Sequence, residues 1–168
     1  MRKFAILFFA TATLLASFTH TANAAPAVYN DTQALRGLKG GKGVFLIDFD
    51  NPGKLAFYLD VIHGTYQGMK RQNVTPDFVL VFIGPTVKYL TSKPTETIAF
   101  EYEKEMKAIH TNLKRLKSLG VRMEICAVAT KVFKVDNQTV FPELDIIGDG
   151  FISLIGYQTQ GYYLVPIF

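Results

Sequence analysis

The sequence predicts a three-layer α/β/α domain that contains a mostly parallel β-sheet. Two observations predict this class. First, the sequence contains continuous apolar runs, which are typical of strands buried on both faces of a sheet. Second, these runs alternate with segments of helical periodicity along most of the 168 residues. Strands that alternate with helices indicate parallel strands joined by helical crossovers. The length suits one domain with its own core, and the sequence contains neither a solenoid repeat nor a low-complexity tract.

The first two predicted strands are each followed by a helical segment. Residues 44–47 form a continuous apolar run, and Pro52, a residue favoured in the first turn of a helix, follows shortly after it. The next segment has apolar residues at spacings of four and three, which predicts an amphipathic helix; they are Leu55, Leu59, Ile62, Tyr66 and Met69. The second strand is predicted over residues 78–83 and ends at Gly84 and Pro85, ahead of a short helical piece.

Three further strands are predicted in the rest of the chain. A long helix is expected over residues 95–119, with Gly120 placed to end it; its apolar stripe is Tyr102, Met106, Ile109, Leu113 and Leu116. The third strand ends at Cys126. The remaining predicted elements are this strand at 121–126, a short helix at 127–133, a brief strand at 144–147, a helix at 151–160 and a last strand at 162–167.

The first 24 residues have the features of a secretory signal peptide. Two basic residues precede an apolar stretch over residues 4–15, which is too short to span a bilayer, and residues 22–24 form an A-x-A cleavage site. We therefore expect cleavage after Ala24, export from a bacterial cell to the periplasm or beyond, and no stable membrane anchor after processing. A retained anchor is the alternative. Residues 25–42 are expected to be a flexible lead-in, and residues 43–168 the folded domain.

Composition and missing motifs argue against several classes of function. The formal net charge is only +4, two of the basic residues lie in the predicted leader, and no Lys/Arg cluster with interleaved aromatic residues occurs, so a nucleic-acid partner is not expected. A single cysteine excludes an intramolecular disulfide, a CxxC pair and a closed Cys/His zinc site. The dinucleotide, P-loop, hydrolase and zincin motifs are also absent, so we expect neither a metal nor an organic cofactor.

The predicted topology places function at the carboxyl ends of the strands, where open α/β sheets bind their ligands. Cys126, the only cysteine, lies at this edge between a strand and a helix. Unpaired backbone N–H groups and the positive end of a helix dipole would favour its thiolate, which is the nucleophilic form. Asp48, Gly84 and Pro85 end the first two strands at the same edge, so they are candidate substrate-binding residues.

Each of these residues also fits a purely structural role. Free cysteine is among the most buried residue types, and the neighbours of Cys126 are apolar. Aspartates ahead of a helix that starts with proline, here Asp48 and Asp50, are commonly helix caps, and Gly-Pro is first of all a turn signal. His63 and His110 are both expected on exposed helix faces. From the residues alone, a reactive and an inert cysteine both remain open.

Three motifs carry a resemblance to a known family. The first is an apolar strand that ends in glycine and is followed by x-x-V-K-x-L; the second is L-x-x-x-G-V-x-x-x-x-C; the third is Q-x-x-G-Y-x-x-x-x-P. Their matching residues are Gly84, Val87, Lys88 and Leu90, then Leu116, Gly120, Val121 and Cys126, then Gln158, Gly161, Tyr162 and Pro166. With the order of the elements, these motifs make residues 43–168 resemble the DsrE/DsrF-like proteins.

The resemblance implies a fold and a chemistry. It implies an α/β/α domain with a five-stranded parallel sheet, usually assembled as a homo-oligomer, and the apolar last strand YYLVPIF supports the same expectation. In characterised members, the cysteine that corresponds to Cys126 carries sulfur as a persulfide during sulfur oxidation or tRNA thiolation. The resemblance thus implies a sulfur carrier or sulfurtransferase with a sulfur-donating or sulfur-accepting partner. The alternative is a non-catalytic exported binding or assembly module with a structural cysteine.

Overall fold

The computed structural model describes residues 29–168, and their strands form one five-stranded sheet. The strands are β1 (Gly40–Ile47), β2 (Thr75–Phe82), β3 (Arg122–Cys126), β4 (Asp145–Ile147) and β5 (Tyr163–Ile167). They lie in the order β4-β3-β2-β1-β5, and every neighbouring pair is parallel. The predicted α/β class with a mostly parallel five-stranded sheet is therefore confirmed.

Helices connect the strands and cover both faces of the sheet. They are α1 (Pro52–Arg71), α2 (Glu96–Glu101), α3 (Glu103–Ser118), α4 (Ala127–Val132) and α5 (Gly150–Thr159), with short 3-10 helices at Gly84–Tyr89 and Asn137–Thr139. The chain moves in one direction across the sheet from β1 to β4, and the connection from β4 to β5 then returns across its full width. Because such crossovers are right-handed, α1 and α3 pack together on one face and α5 lies on the other.

The core lies between the central strands and the helices. Residues 79–82 of β2 are fully buried, as expected for a middle strand of a parallel sheet. The predicted stripes of α1 and α3 face this strand layer, and their most buried members are Leu55, Leu59, Ile62, Ile109, Leu113 and Leu116. The helical periodicity therefore identified the inward faces of both long helices correctly.

Several local predictions differ from the structure, and β2, predicted over residues 78–83, spans Thr75–Phe82. The predicted helix over 95–119 is divided, because Tyr102 takes a non-helical conformation (φ −125°, ψ 29°) between α2 and α3. Strand β1 begins at Gly40, four residues before the predicted strand, because its glycines pair in register with β2 from Thr75 onward. Asn51 caps α1 by accepting a hydrogen bond from the Lys54 backbone N–H at 2.8 Å, so the predicted caps Asp48 and Asp50 were wrong.

The predicted signal peptide, residues 1–24, lies outside the described residues, as do residues 25–28 of the predicted lead-in. Residues 40–42 of that lead-in belong to β1. In the part of the chain that the structure describes, no helix combines the length and apolar character needed to cross a membrane.

Candidate functional site

Cys126 lies at the carboxyl edge of the sheet, where β3 ends and α4 begins. Its backbone is still extended (φ −75°, ψ 119°), and the residue is only 5% exposed. The thiol makes no capping hydrogen bond to α4. Instead, its Sγ accepts a hydrogen bond from the backbone N–H of Gly150 at 3.2 Å. The amide that contacts the sulfur therefore comes from α5 rather than from the helix that follows the cysteine in sequence.

Gly150 is the first residue of α5 and approaches the sheet closely. A Cβ at this position would overlap Ile83 Cγ2 and would lie 3.4 Å from the Cβ of Cys126. Only glycine therefore lets the helix begin near enough for its N–H to reach the sulfur. Asp149 supports this start by capping α5: its Oδ1 accepts a hydrogen bond from the Phe151 N–H at 2.8 Å.

The contact between Gly150 and Cys126 has a chemical consequence. The first amides of a helix have no partner within the helix and carry its positive partial charge. A hydrogen bond from such an amide favours a negatively charged sulfur over a neutral one. The arrangement can therefore stabilise a thiolate at Cys126.

A cavity of about 260 Å³ opens beside the cysteine. We call it the Cys126 cavity, and its lining residues are Asp48, Ile83, Gly84, Cys126, Val128, Ala129, Val132, Phe133, Asp149 and Phe151. They come from the loops and helices that follow four strands of the sheet, as expected for a ligand site of this fold class. Most of the wall is apolar, and its two charged side chains are carboxylates.

Two of the three predicted substrate-binding residues line the Cys126 cavity. Gly84 has a left-handed backbone conformation (φ 55°), and an added Cβ would overlap Asp48 Oδ1, so the carboxylate lies directly over the glycine. Pro85 does not line the cavity; it lies in the first turn of the 3-10 helix Gly84–Tyr89. Contact of Asp48 and Gly84 with a substrate stays a prediction.

Asp50, two residues further on, belongs to a separate polar cluster. Its carboxylate accepts hydrogen bonds from Lys88 Nζ at 2.7 Å and from the Tyr89 hydroxyl. The hydrogen bond from Lys88, helped by that from Tyr89, lowers the pKa of the Asp50 carboxyl, whereas burial and the same carboxylate raise the pKa of the Tyr89 phenol. The cluster fixes the 3-10 helix against the end of β1.

Neither candidate histidine lines the Cys126 cavity. His63 interacts with Arg115 on the neighbouring helix, with Nδ1 2.9 Å from Nη2, and it keeps the predicted helix-face position. His110 differs from its prediction, because its ring stacks on Phe141 at a centroid distance of 4.1 Å and two thirds of its side chain is buried. Among residues 29–168, no group of three or more His, Cys, Asp or Glu side chains is arranged to hold a metal ion.

Two hydrogen bonds to β3 hold α5 over the sheet. Glu124 accepts one from the Tyr157 hydroxyl at 2.6 Å and another from the Ser153 hydroxyl. Both donors lie on α5, so this carboxylate anchors the helix whose first amide contacts Cys126. The sequence did not indicate this anchor, because a glutamate inside a strand and hydroxyls on a helix form no recognisable local pattern.

The anchor predicts a pH dependence. Burial, and then the hydrogen bond to Glu124, raise the pKa of Tyr157 to about 12. Because the folded-state pKa lies above the unfolded value of about 10, the resulting stability is fully present below pH 10 and is lost as the pH rises toward 12. Tyrosinate absorbance is therefore measured against pH for the wild type and for Tyr157→Phe. The difference between the two curves should show a single step near pH 12. A step near pH 10 would contradict the anchor.

Comparisons with known proteins agree with this architecture. The model of the DsrE/DsrF-like family matches residues 42–166. Two similar solved structures are the protein of unknown function MTH1491 from Methanobacterium thermoautotrophicum (TM-score 0.59) and the ychN protein from E. coli (TM-score 0.55). Each is 16% identical to this chain, and each alignment covers 76% of this chain and 99% of the other. At this identity the likeness shows the fold alone. No curated protein matches the chain.

Proposed function

The chain belongs to the DsrE/DsrF-like family, and from this we propose that it handles sulfane sulfur, the zero-valent sulfur that thiols can pass between them. Cys126 accepts one sulfur atom as a persulfide and later donates it. The observation that carries the proposal is the Gly150 N–H, which donates a hydrogen bond to Cys126 Sγ beside a cavity. A sulfur carrier needs both features, because the thiolate must be stabilised and a small donor must reach it.

The chemistry requires no cofactor. The Cys126 thiolate attacks the terminal sulfur of a donor R–S–SH, so that an Sγ–S bond forms and the S–S bond of the donor breaks. The electron pair of the broken bond leaves with the carrier as a thiolate, which takes up the proton of the transferred SH group. The transfer of sulfur involves no net oxidation or reduction.

Mass spectrometry of the intact protein tests the proposal. After mild treatment with the persulfide of 2-mercaptoethanol, a small donor with a neutral carrier, the wild type should gain about 32 Da, the mass of one sulfur atom, and reductant should remove the gain. Cys126→Ala should gain nothing, and Cys126→Ser serves as a matched control that keeps a hydrogen-bond acceptor for the Gly150 N–H. A wild type that stays unmodified while its denatured form reacts would argue against the proposal.

The second candidate is a binding or assembly module in which the cysteine only fills space. The observation that favours it is the burial of Cys126, which packs into the same core cluster as its apolar neighbours. The two candidates differ in the outcome for small reagents. A packing cysteine resists both sulfur donors and alkylating reagents in the folded protein, whereas a sulfur carrier reacts with donors small enough for the Cys126 cavity.

Export is a further part of the proposal. It rests on the first 24 residues of the sequence, with their basic start, short apolar run and A-x-A site. N-terminal sequencing of the protein from its native host should give Ala25 as the first residue. A protein that starts at Met1 and is found in the cytosol would overturn this part and leave the sulfur chemistry untouched.

Self-association is the last part of the proposal. β5 is an edge strand, and apolar side chains on it and on α5 are exposed; they are Tyr163, Leu164, Val165, Phe151, Ile152 and Ile155. Tyr163 is 80% exposed and Ile152 70%, although soluble monomers rarely expose large contiguous apolar patches. A homo-oligomer would remove these side chains from water. Light scattering of the processed protein should give a mass above that of one chain at micromolar concentration, and a strictly monomeric mass would refute it.

A further inference from the structure

The Cys126 cavity is negatively charged. Of its ten lining residues, only Asp48 and Asp149 carry a charge, and none of the ten, all in the described part of the chain, is a lysine, arginine or histidine. The charge of Asp149 is partly offset, because this carboxylate caps α5 and accepts the Phe151 N–H. Asp48 is different. Within residues 29–168, no side chain or backbone group donates a hydrogen bond to its carboxylate, which lies over Gly84.

The ammonium of Lys88, which lies close to the cavity, does not neutralise this wall. Lys88 Nζ lies 5.9 Å from the centre of the Phe133 ring, and Phe133 is one of the residues that line the cavity. The same ammonium is paired with the Asp50 carboxylate at 2.7 Å, so its charge is already matched. A ligand in the Cys126 cavity therefore meets apolar side chains, the sulfur and an unpaired carboxylate.

We propose that the Cys126 cavity selects small sulfane-sulfur donors whose carrier group is neutral or positively charged, and that it discriminates against donors with anionic carriers. This inference rests on the proposed function, because it assumes that Cys126 accepts sulfur. The physical reason is the Asp48 carboxylate, which attracts an ammonium group and repels a carboxylate or sulfonate in a partly desolvated site. The transfer step is the same for every carrier; only the approach of the donor differs.

Three donors of similar size provide the test. The persulfides of cysteamine, 2-mercaptoethanol and 3-mercaptopropionate share a two-carbon link to sulfur and end in an ammonium, a hydroxyl and a carboxylate. Each forms in solution from its symmetric disulfide and sulfide. The rate of sulfur addition to Cys126 is followed by intact-protein mass spectrometry. The same rates for the denatured chain correct for the intrinsic reactivity of each donor.

We expect the folded protein to favour the cationic over the anionic donor by roughly tenfold after this correction, with the neutral donor between them. Asp48→Asn should reduce that preference to less than about threefold, since the amide keeps the shape and removes the charge. Asp60→Asn is the matched control, because Asp60 lies on the outer surface of α1 and pairs with Arg115. It should leave the preference unchanged. Added salt should also weaken the preference of the wild type for the cationic donor, because it screens the charge of Asp48.

The outcomes separate the two proposals. Sulfur uptake at equal corrected rates from all three donors, or faster uptake from the anionic one, would overturn the donor selectivity and leave sulfur handling intact. Uptake from none of the donors by the folded protein, with normal uptake by the denatured chain, would overturn the sulfur-handling function itself. If Asp48→Asn fails to fold, the salt dependence of the wild type decides, because a preference that salt does not change has no electrostatic origin.

Discussion

Replacing Gly150 with alanine should lower the free energy of unfolding by about 1–3 kcal/mol, the usual range for an overpacked core. The added Cβ would overlap Ile83 Cγ2 and would press on the Cβ of Cys126. Because both neighbours are buried, α5 has to move away from the sheet, and the hydrogen bond from its first amide to the sulfur is lost. Sulfur uptake by Cys126 should slow in the same variant. Denaturant unfolding and intact-protein mass spectrometry measure the two effects.

Gly156→Ala is the matched control for this variant. It lies in the same helix, but a Cβ there would meet nothing within 4 Å. Alanine should therefore stabilise the protein by about 0.5–1 kcal/mol through helix propensity. In the double variant Gly150→Ala/Ile83→Ala, the side chain that the new Cβ would overlap is shortened. The loss in free energy of unfolding should therefore be smaller than the sum of the losses in the two single variants. Equal changes in the free energy of unfolding for alanine at positions 150 and 156 would contradict the close approach of α5 to Cys126.

Phe82→Ala should have the larger effect on stability, a loss of about 3–5 kcal/mol. Phe82 ends β2 in the middle of the sheet, is 0% exposed and pairs in register with Ile47 and Ile125. Its removal leaves a cavity in the core next to the loop that carries Gly84. Because native domains are stable by only about 5–15 kcal/mol, the variant should unfold at a much lower denaturant concentration.

Phe100→Ala provides the comparison, because this phenylalanine lies on α2 and is 89% exposed. Its free energy of unfolding should stay within about 0.5 kcal/mol of the wild type. A loss of less than about 1 kcal/mol for Phe82→Ala, or an equal loss at both positions, would contradict the core assigned to the sheet.

The position of Cys126 could be predicted from the sequence, because strand ends in a parallel sheet meet at one edge wherever the order of elements is clear. The partner of its sulfur could not. Gly150 follows Cys126 by 24 residues, and its role depends on how closely α5 approaches Ile83, which no local pattern encodes. The Gly-Asp-Gly after β4 was the available signal, since a capped helix that begins with glycine suggests a close approach.

Other differences between prediction and structure have equally specific causes. Asp48, Asp50 and Asn51 are all acceptable caps by residue type, and only the backbone geometry selects Asn51. The sequence predicted one helix where α2 and α3 are divided, because the helical spacing of apolar residues continues across Tyr102. The Met106 N–H still donates a hydrogen bond to the Tyr102 carbonyl. The stacking of His110 on Phe141 involves a loop without periodicity, so the helix pattern alone put that histidine in solvent.

The most direct test of the account is the transfer of labelled sulfur. The protein is loaded from the persulfide of 2-mercaptoethanol with an isotope in its outer sulfur, freed of excess donor, and treated with cyanide, which removes sulfane sulfur from a persulfide as thiocyanate and returns the thiolate. We predict about one labelled thiocyanate per chain, together with the loss of the added mass, and none from Cys126→Ala. An unlabelled product, or equal label from the wild type and Cys126→Ala, would contradict the assignment of Cys126 as the sulfur carrier.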